Sequence, residues 1–183
     1  MRSRVQIAGV VALLSVAGWV SASHAQRPDL SGEWVRADSI GGRAVASVGD
    51  ASFRRGDMGS GWGAMLTLAQ RADSLVVQYD FFTAYDLQPR VRLAYALDGS
   101  ESRNRVMIGH AESLQRSRVA WQGNTLVITT LHPTPGDADG RATSAEVRQV
   151  LSLDAAGSLI VETTRVGIRG APTTATRTVY TKK

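Results

Sequence analysis

The stretch Gln115-Arg116-Ser117-Arg118-Val119-Ala120-Trp121-Gln122-Gly123-Asn124-Thr125-Leu126-Val127-Ile128-Thr129-Thr130-Leu131-His132 decides the fold of this chain. Two runs rich in β-branched and large apolar residues flank Gly123-Asn124, a dipeptide suited to the positive φ of a two-residue hairpin turn. Such a turn fixes the register: Trp121 faces Leu126, Val119 faces Ile128, Ser117 faces Thr130 and Gln115 faces His132. One face of the hairpin is therefore apolar near the turn and polar away from it. The apolar half must be buried, so Gln115, Ser117, Thr130 and His132 point inward as well.

Outward from this hairpin, the same kind of run recurs from Leu30 to the C-terminus, and no long helical period interrupts it. The pattern predicts ten strands: Gly32–Ala37, Ala64–Gln70, Leu75–Phe82, Val91–Leu97, Arg103–Ile108, Ser113–Trp121, Thr125–His132, Ala145–Leu153, Leu159–Val166 and Thr174–Thr181. Their connections alternate. Arg71–Ser74, Asp98–Ser100, Gln122–Asn124 and Asp154–Ser158 are short and carry Gly, Asn or Asp. Asp38–Gly63, Thr83–Arg90, Gly109–Glu112, Pro133–Ser144 and Gly167–Thr173 read as the longer set. In an up-and-down meander alternate connections fall at opposite ends, and an even strand count lets the first strand pair antiparallel with the last. The expected fold is all-β, an up-and-down antiparallel barrel of about 8–10 strands shaped like a cup; a β-sandwich of the same strands would also alternate its connections. Asp38–Gly63 is long enough to hide an element, a short helix or an extra strand near Ala44–Val48.

Leu30-Ser31-Gly32-Glu33-Trp34, at the first strand, resembles the Gly-x-Trp signature of the lipocalins. The Trp121–Ile128 run and the closing Thr178-Val179-Tyr180-Thr181-Lys182 resemble small exported bacterial proteins of lipocalin-like type. The resemblance implies a structural set of Gly32, Trp34 and Arg177, with Trp34 plugging the closed end beneath a last-strand arginine, a contact of ~0.5–2 kcal/mol. It also implies a small hydrophobic or amphipathic ligand in the cup. The chain lacks the family's Thr-Asp-x-Tyr motif and its cysteines, and ten strands resemble the fatty-acid-binding-protein barrel equally.

Composition narrows the function classes. The 183 residues include no cysteine, which removes disulfide scaffolds, thiol catalysis, Cys-ligated zinc and iron–sulfur clusters. With 43 % hydrophobic and 20 % charged residues, the composition excludes a disordered tail and a polytopic membrane protein. Met1, Arg2 and Arg4 precede an uncharged apolar run from Val5 to Val20, and Ser23-His24-Ala25 offers small residues for a signal peptidase. Residues 1–25 are thus expected to be a signal peptide cut between Ala25 and Gln26, leaving one domain over 26–183, periplasmic or secreted. The mature chain then holds 19 basic residues against 16 acidic, so the formal charge of +5 falls.

The candidate binding residues are Trp62, Tyr79, Phe81, Tyr85, Gln115, Ser117, Thr130, His132 and Arg165. Leu75, Val77, Tyr79 and Phe81 share one strand face, and Arg165 points inward if Leu159, Val161 and Thr163 do. Trp62, Phe81, Phe82 and Tyr85 flank two long loops, where they would clamp a ligand under a loop made pliable by Gly59, Gly61 and Gly63, or else cap the core. Arg90/Arg92, Arg103/Arg105 and Arg116/Arg118 each lie two apart, on the face opposite their apolar neighbours, and so point outward. That exterior suits peripheral contact with anionic envelope components, partly neutralised by Asp98, Glu101 and Glu112. Nothing suggests nucleic-acid binding, no cofactor is implied, and a monomer is expected. Catalytic signatures are thin: no Gly-x-Ser-x-Gly elbow accompanies His110 or His132, and Asp137-Ala138-Asp139-Gly140 has only part of a calcium loop. A metal held by His110, His132 and a loop carboxylate such as Glu112 or Asp137 fits the geometry, since all lie toward the open end, although two uncoordinated histidines are the commoner case. An enzyme in the same cup would have to use His132 as general base.

Overall fold

The computed structural model describes residues 27–37, 39–40, 43–44, 60–79, 90–108, 111–134, 143–166 and 172–183. The expected signal segment, Phe81, Phe82, Tyr85, His110, Asp137 and Asp139 lie outside the described residues. Among the described residues twelve strands follow one another: β1 (Gly32–Arg36), β2 (Ser39–Ile40), β3 (Arg43–Ala44), β4 (Met65–Gln70), β5 (Ser74–Tyr79), β6 (Val91–Ala96), β7 (Ser102–Ile108), β8 (Ala111–Gln122), β9 (Thr125–Thr134), β10 (Thr143–Leu153), β11 (Leu159–Val166) and β12 (Thr174–Lys182).

Ten of them form one antiparallel sheet in the order β6-β5-β4-β1-β12-β11-β10-β9-β8-β7, while β2 and β3 pair as a separate small hairpin. The chain winds an up-and-down barrel, all-β and nearly closed, and the first strand does pair with the last, Trp34 opposite Lys182. The β8–β9 register is the one the Gly123-Asn124 turn dictates, with Trp121, Val119 and Ser117 opposite Leu126, Ile128 and Thr130. Gly123 has φ 60°, as such a turn requires.

Closure is completed at an unexpected place. β6 and β7 are consecutive yet stand at the two ends of the sheet order. Side chains bridge them: the Asn104 carboxamide accepts from Ala94 N at 2.8 Å and donates to Ala94 O at 3.0 Å, and Ser102 Oγ accepts from Ala96 N at 2.8 Å. A carboxamide carries one donor and one acceptor in the geometry of a peptide group, so Asn104 replaces a ladder rung.

The turns after β4, β6, β8 and β10 gather at one end. Beneath them the segment before β1 folds across the barrel floor: Gln70 accepts from Leu30 N, donates to Pro28 O, and its own backbone N–H bonds Ser31 Oγ. Leu30 is wholly buried there, and its carbonyl takes the indole N–H of Trp34 at 3.0 Å. The cation over Trp34 is Lys182, 5.6 Å from the ring centroid. Arg177 instead stands exposed on the outer wall opposite Glu162, because it lies an odd number of residues from the inward Tyr180. Gly32, at φ 148°, leaves room for the Lys182 stem; a Cβ there would sit 2.7 Å from Lys182 Cε.

Two further expectations change. Gly109–Glu112 is not a long loop, since Ile108 and Ala111 already pair across two residues. Asp38–Gly63 contains the β2–β3 hairpin, and near its end Ser60 and Trp62 are buried in the barrel.

Candidate functional site

Cross-strand partners point to the same side, so the barrel interior can be followed rung by rung. Next to the rung of Leu153, Leu159 and Tyr180 at the turn end lie Trp121, Leu126, Leu151, Val161 and Thr178. Val119, Ile128, Gln149, Thr163 and Thr176 follow, then Ser117, Thr130, Val147, Arg165 and Thr174. The outermost rung holds Gln115, His132 and Ala145. Polarity rises over the first three of these rungs and stays high at the end that carries the long loops.

Each inner polar group has an identifiable environment. Ser117 Oγ and Thr130 Oγ1 bond at 2.8 Å, both 2 % exposed. Gln115 Nε2 lies 2.9 Å from His132 Nδ1. Burial first, and then the positive field of Arg165, holds the His132 pKa below its ordinary value. The imidazole is accordingly neutral near neutral pH. With the amide nitrogen donating to Nδ1, the ring proton sits on Nε2, and that side of the ring can donate a hydrogen bond. Thr163 is wholly buried, and its Oγ1 has no hydrogen-bond partner among the described residues. A buried hydroxyl in that condition costs about 1–3 kcal/mol, which a bound acceptor or donor would recover.

Trp62 is not at the rim. It is 2 % exposed and belongs to the same apolar cluster as Trp34, Leu66, Tyr95, Val119 and Tyr180. A hydrogen-bonded chain fixes it: Trp62 N–H donates to Ser60 Oγ at 3.2 Å, Ser60 Oγ meets Tyr180 Oη at 2.5 Å, and Tyr180 O–H donates to Gly63 O at 2.9 Å. Gln149 Nε2 adds a 2.6 Å bond to Ser60 O. Gly61, at φ 83°, supplies the left-handed turn, and the Arg165 guanidinium lies 3.7 Å from where a Cβ would stand. Ser60 and Trp62, both buried, thus form an internal plug rather than a rim clamp. The sequence signal for it was present in Ser60-Gly61-Trp62-Gly63, two glycines around a large aromatic, though nothing local revealed its direction.

Tyr79 points inward and packs half-buried against the core, and desolvation raises its pKa. Arg90, Arg92, Arg103, Arg105, Arg116 and Arg118 are all exposed on the outer wall. Gln115, Ser117, Thr130, His132 and Arg165 are therefore gathered in one polar belt inside the mouth, Trp62 lies beneath it, and Tyr79 lies on the opposite wall. A shallow cleft of about 90 Å3 on the outer wall, bordered by Glu33, Thr67, Gln78, Arg90 and Lys183, is separate from that belt. Among the described residues no group of His, Asp and Glu is arranged to hold a metal. No family model matches the chain, and no curated protein matches it either.

Proposed function

We propose that this protein binds a small amphipathic molecule in the mouth of its barrel, the polar end of the ligand taken by His132, Gln115 and Arg165. The observation that carries this reading is the belt of polar side chains turned inward at the open end, above a buried apolar plug. A soluble barrel held only for stability would favour apolar residues at such positions, because each inward polar group must be matched. His132 Nε2–H and the Arg165 guanidinium both present donors, so the matching ligand end is an acceptor such as a carboxylate or carbonyl. The apolar part of the ligand would lie over Trp62, where burial contributes ~25 cal/mol per Å2.

The test is native mass spectrometry of the purified protein for a retained small molecule, followed by calorimetric titration with short- and medium-chain carboxylates. Binding that weakens about tenfold or more in His132→Ala and Arg165→Gln supports the assignment, at ~1.5–3 kcal/mol for a charge-assisted hydrogen bond. Trp62→Ala should shift preference toward longer chains. Absence of any retained molecule, together with carboxylate affinities that none of these substitutions changes, would overturn it.

A further inference from the structure

The outer wall of β7, β8 and β9 carries a second feature that the mouth does not use. Arg103 stands directly opposite Arg116, Arg105 opposite Leu114, and Arg116 opposite Leu131. All of these side chains are exposed, with Leu114 at 42 % and Leu131 at 44 %. Arg118 lies on the same face of β8, and Arg148 on β10 sits beside Thr129, the cross-strand partner of Arg118. Like charges directly opposite one another destabilise a sheet, and exposed leucines gain nothing from water. Folding therefore gives no account of either.

Three acids moderate the patch without cancelling it. Glu101 accepts from Arg103 Nε at 2.8 Å, Glu112 lies 3.3 Å from Arg105, and Glu146 stands opposite Leu131. Glu101 also lies in the field of Arg116 and Arg118. The Arg105 side chain remains 80 % exposed despite its pair, so its guanidinium is open to a competing anion. Exposed pairs of this kind contribute about 0–1 kcal/mol and are readily exchanged.

We propose that this wall docks on an anionic lipid surface, the arginines meeting lipid phosphates while Leu114 and Leu131 enter the headgroup region. The interleaved leucines favour a bilayer over a soluble polyanion. A polyphosphate chain offers no apolar phase, whereas an interface takes up leucines and guanidinium groups together.

The experiment is co-sedimentation of the full chain with vesicles of equimolar phosphatidylglycerol and phosphatidylcholine, against vesicles of phosphatidylcholine alone. The readout is the difference between the two and its loss in the wall variants, because the N-terminal segment with Arg2 and Arg4 is common to parent and variants alike. The expected result is preferential binding to the anionic vesicles that falls as salt rises. The double variant Arg103→Gln/Arg116→Gln should lower it roughly 30-fold, at about fivefold for each arginine near an anionic surface. Leu114→Ser/Leu131→Ser should lower it roughly tenfold, from the apolar area then lost. All four side chains are exposed, so the thermal midpoint verifies that the variants remain folded. Equal binding to both vesicles overturns the proposal. So does insensitivity to the leucine pair combined with full competition by inorganic polyphosphate, which would mark a polyanion site, and so does a concentration-dependent dimer that the leucine variants dissociate.

Discussion

Asn104 offers the sharpest test of how this barrel is held shut. Its carboxamide makes both hydrogen bonds to Ala94 across the gap between β6 and β7, and it is only 7 % exposed. Asn104→Ala removes both bonds at once and leaves a backbone N–H and C=O facing a seam with no ladder. Each lost bond costs ~0.5–1.5 kcal/mol net, and incomplete solvation of the groups left behind raises the sum to about 2–4 kcal/mol. For a domain of this size that corresponds to a fall of roughly 5–15 °C in thermal midpoint. Denaturant unfolding gives the free energy, and amide exchange at Ala94 and Ala96 shows whether the loss is local to the seam. Asn104→Asp refines the test. A carboxylate keeps the acceptor for Ala94 N but repels Ala94 O, whereas the protonated acid donates to it again, so this variant should recover stability as pH falls toward the carboxyl range. Exposed Glu162→Gln is the control, expected within about 0.5 kcal/mol of the parent. An Asn104→Ala variant as stable as that control, with unchanged exchange at Ala94, would refute the seam argument.

Three further outcomes are expected. Tyr180→Phe breaks the bonds to Ser60 and Gly63 that hold the plug, so it should lose about 1–3 kcal/mol and accelerate exchange at the Trp62 amide, measured by hydrogen-exchange mass spectrometry. Gly32→Ala meets both a φ of 148° and the Lys182 stem, and should cost ~1–3 kcal/mol by chemical unfolding; Lys182→Ala, which removes only an exposed cation over Trp34, should cost about 0.5–1 kcal/mol. His132 has a depressed pKa in the fold, so between that value and the ordinary imidazole value of 6.5 the unfolded chain binds the extra proton. Stability should therefore fall as pH drops through 6.5 and level off below the folded value, and the His132→Gln difference in unfolding free energy across that window should show the slope vanish.

The hairpin at Gly123-Asn124 made most of the fold legible. A two-residue turn leaves one register, and that register alone assigns Val119, Ile128, Ser117 and Thr130 to one face. The polar belt followed, because the face containing Val119 and Ile128 must also contain Gln115 and His132. What local pattern could not reveal depends on contacts remote in sequence. Trp62 bonds through Ser60 to Tyr180 and Gln149, partners 120 and 89 residues away from Ser60, and no spacing rule encodes such a distance. Asn104 presented itself only as a polar residue between two arginines; its work at the seam appears when β6 lies beside β7. The arginine over Trp34 was misplaced for a simpler reason: Arg177 and Tyr180 differ by an odd number, and strand parity puts them on opposite faces.

Magnitudes decide where in the barrel a ligand can sit. A molecule entering below the polar belt would have to expel Trp62, which is 2 % exposed and fastened through Ser60. Loss of a buried tryptophan's packing costs ~3–5 kcal/mol. An apolar guest covering about 200 Å2 gains ~5 kcal/mol at the usual coefficient, and must still offset the several kcal/mol of freedom lost on association. Deep occupancy is close to balanced before those costs and unfavourable after them. Above the plug the terms are different: Trp62 stays in place as an apolar floor, His132 and Arg165 lie in the polar belt, and the Thr163 hydroxyl, without a hydrogen-bond partner among the described residues, lies one rung beneath Arg165. A ligand there needs only a short apolar body and one strong acceptor. On the proposed function, the buried plug disfavours long apolar chains and favours small molecules with a polar end.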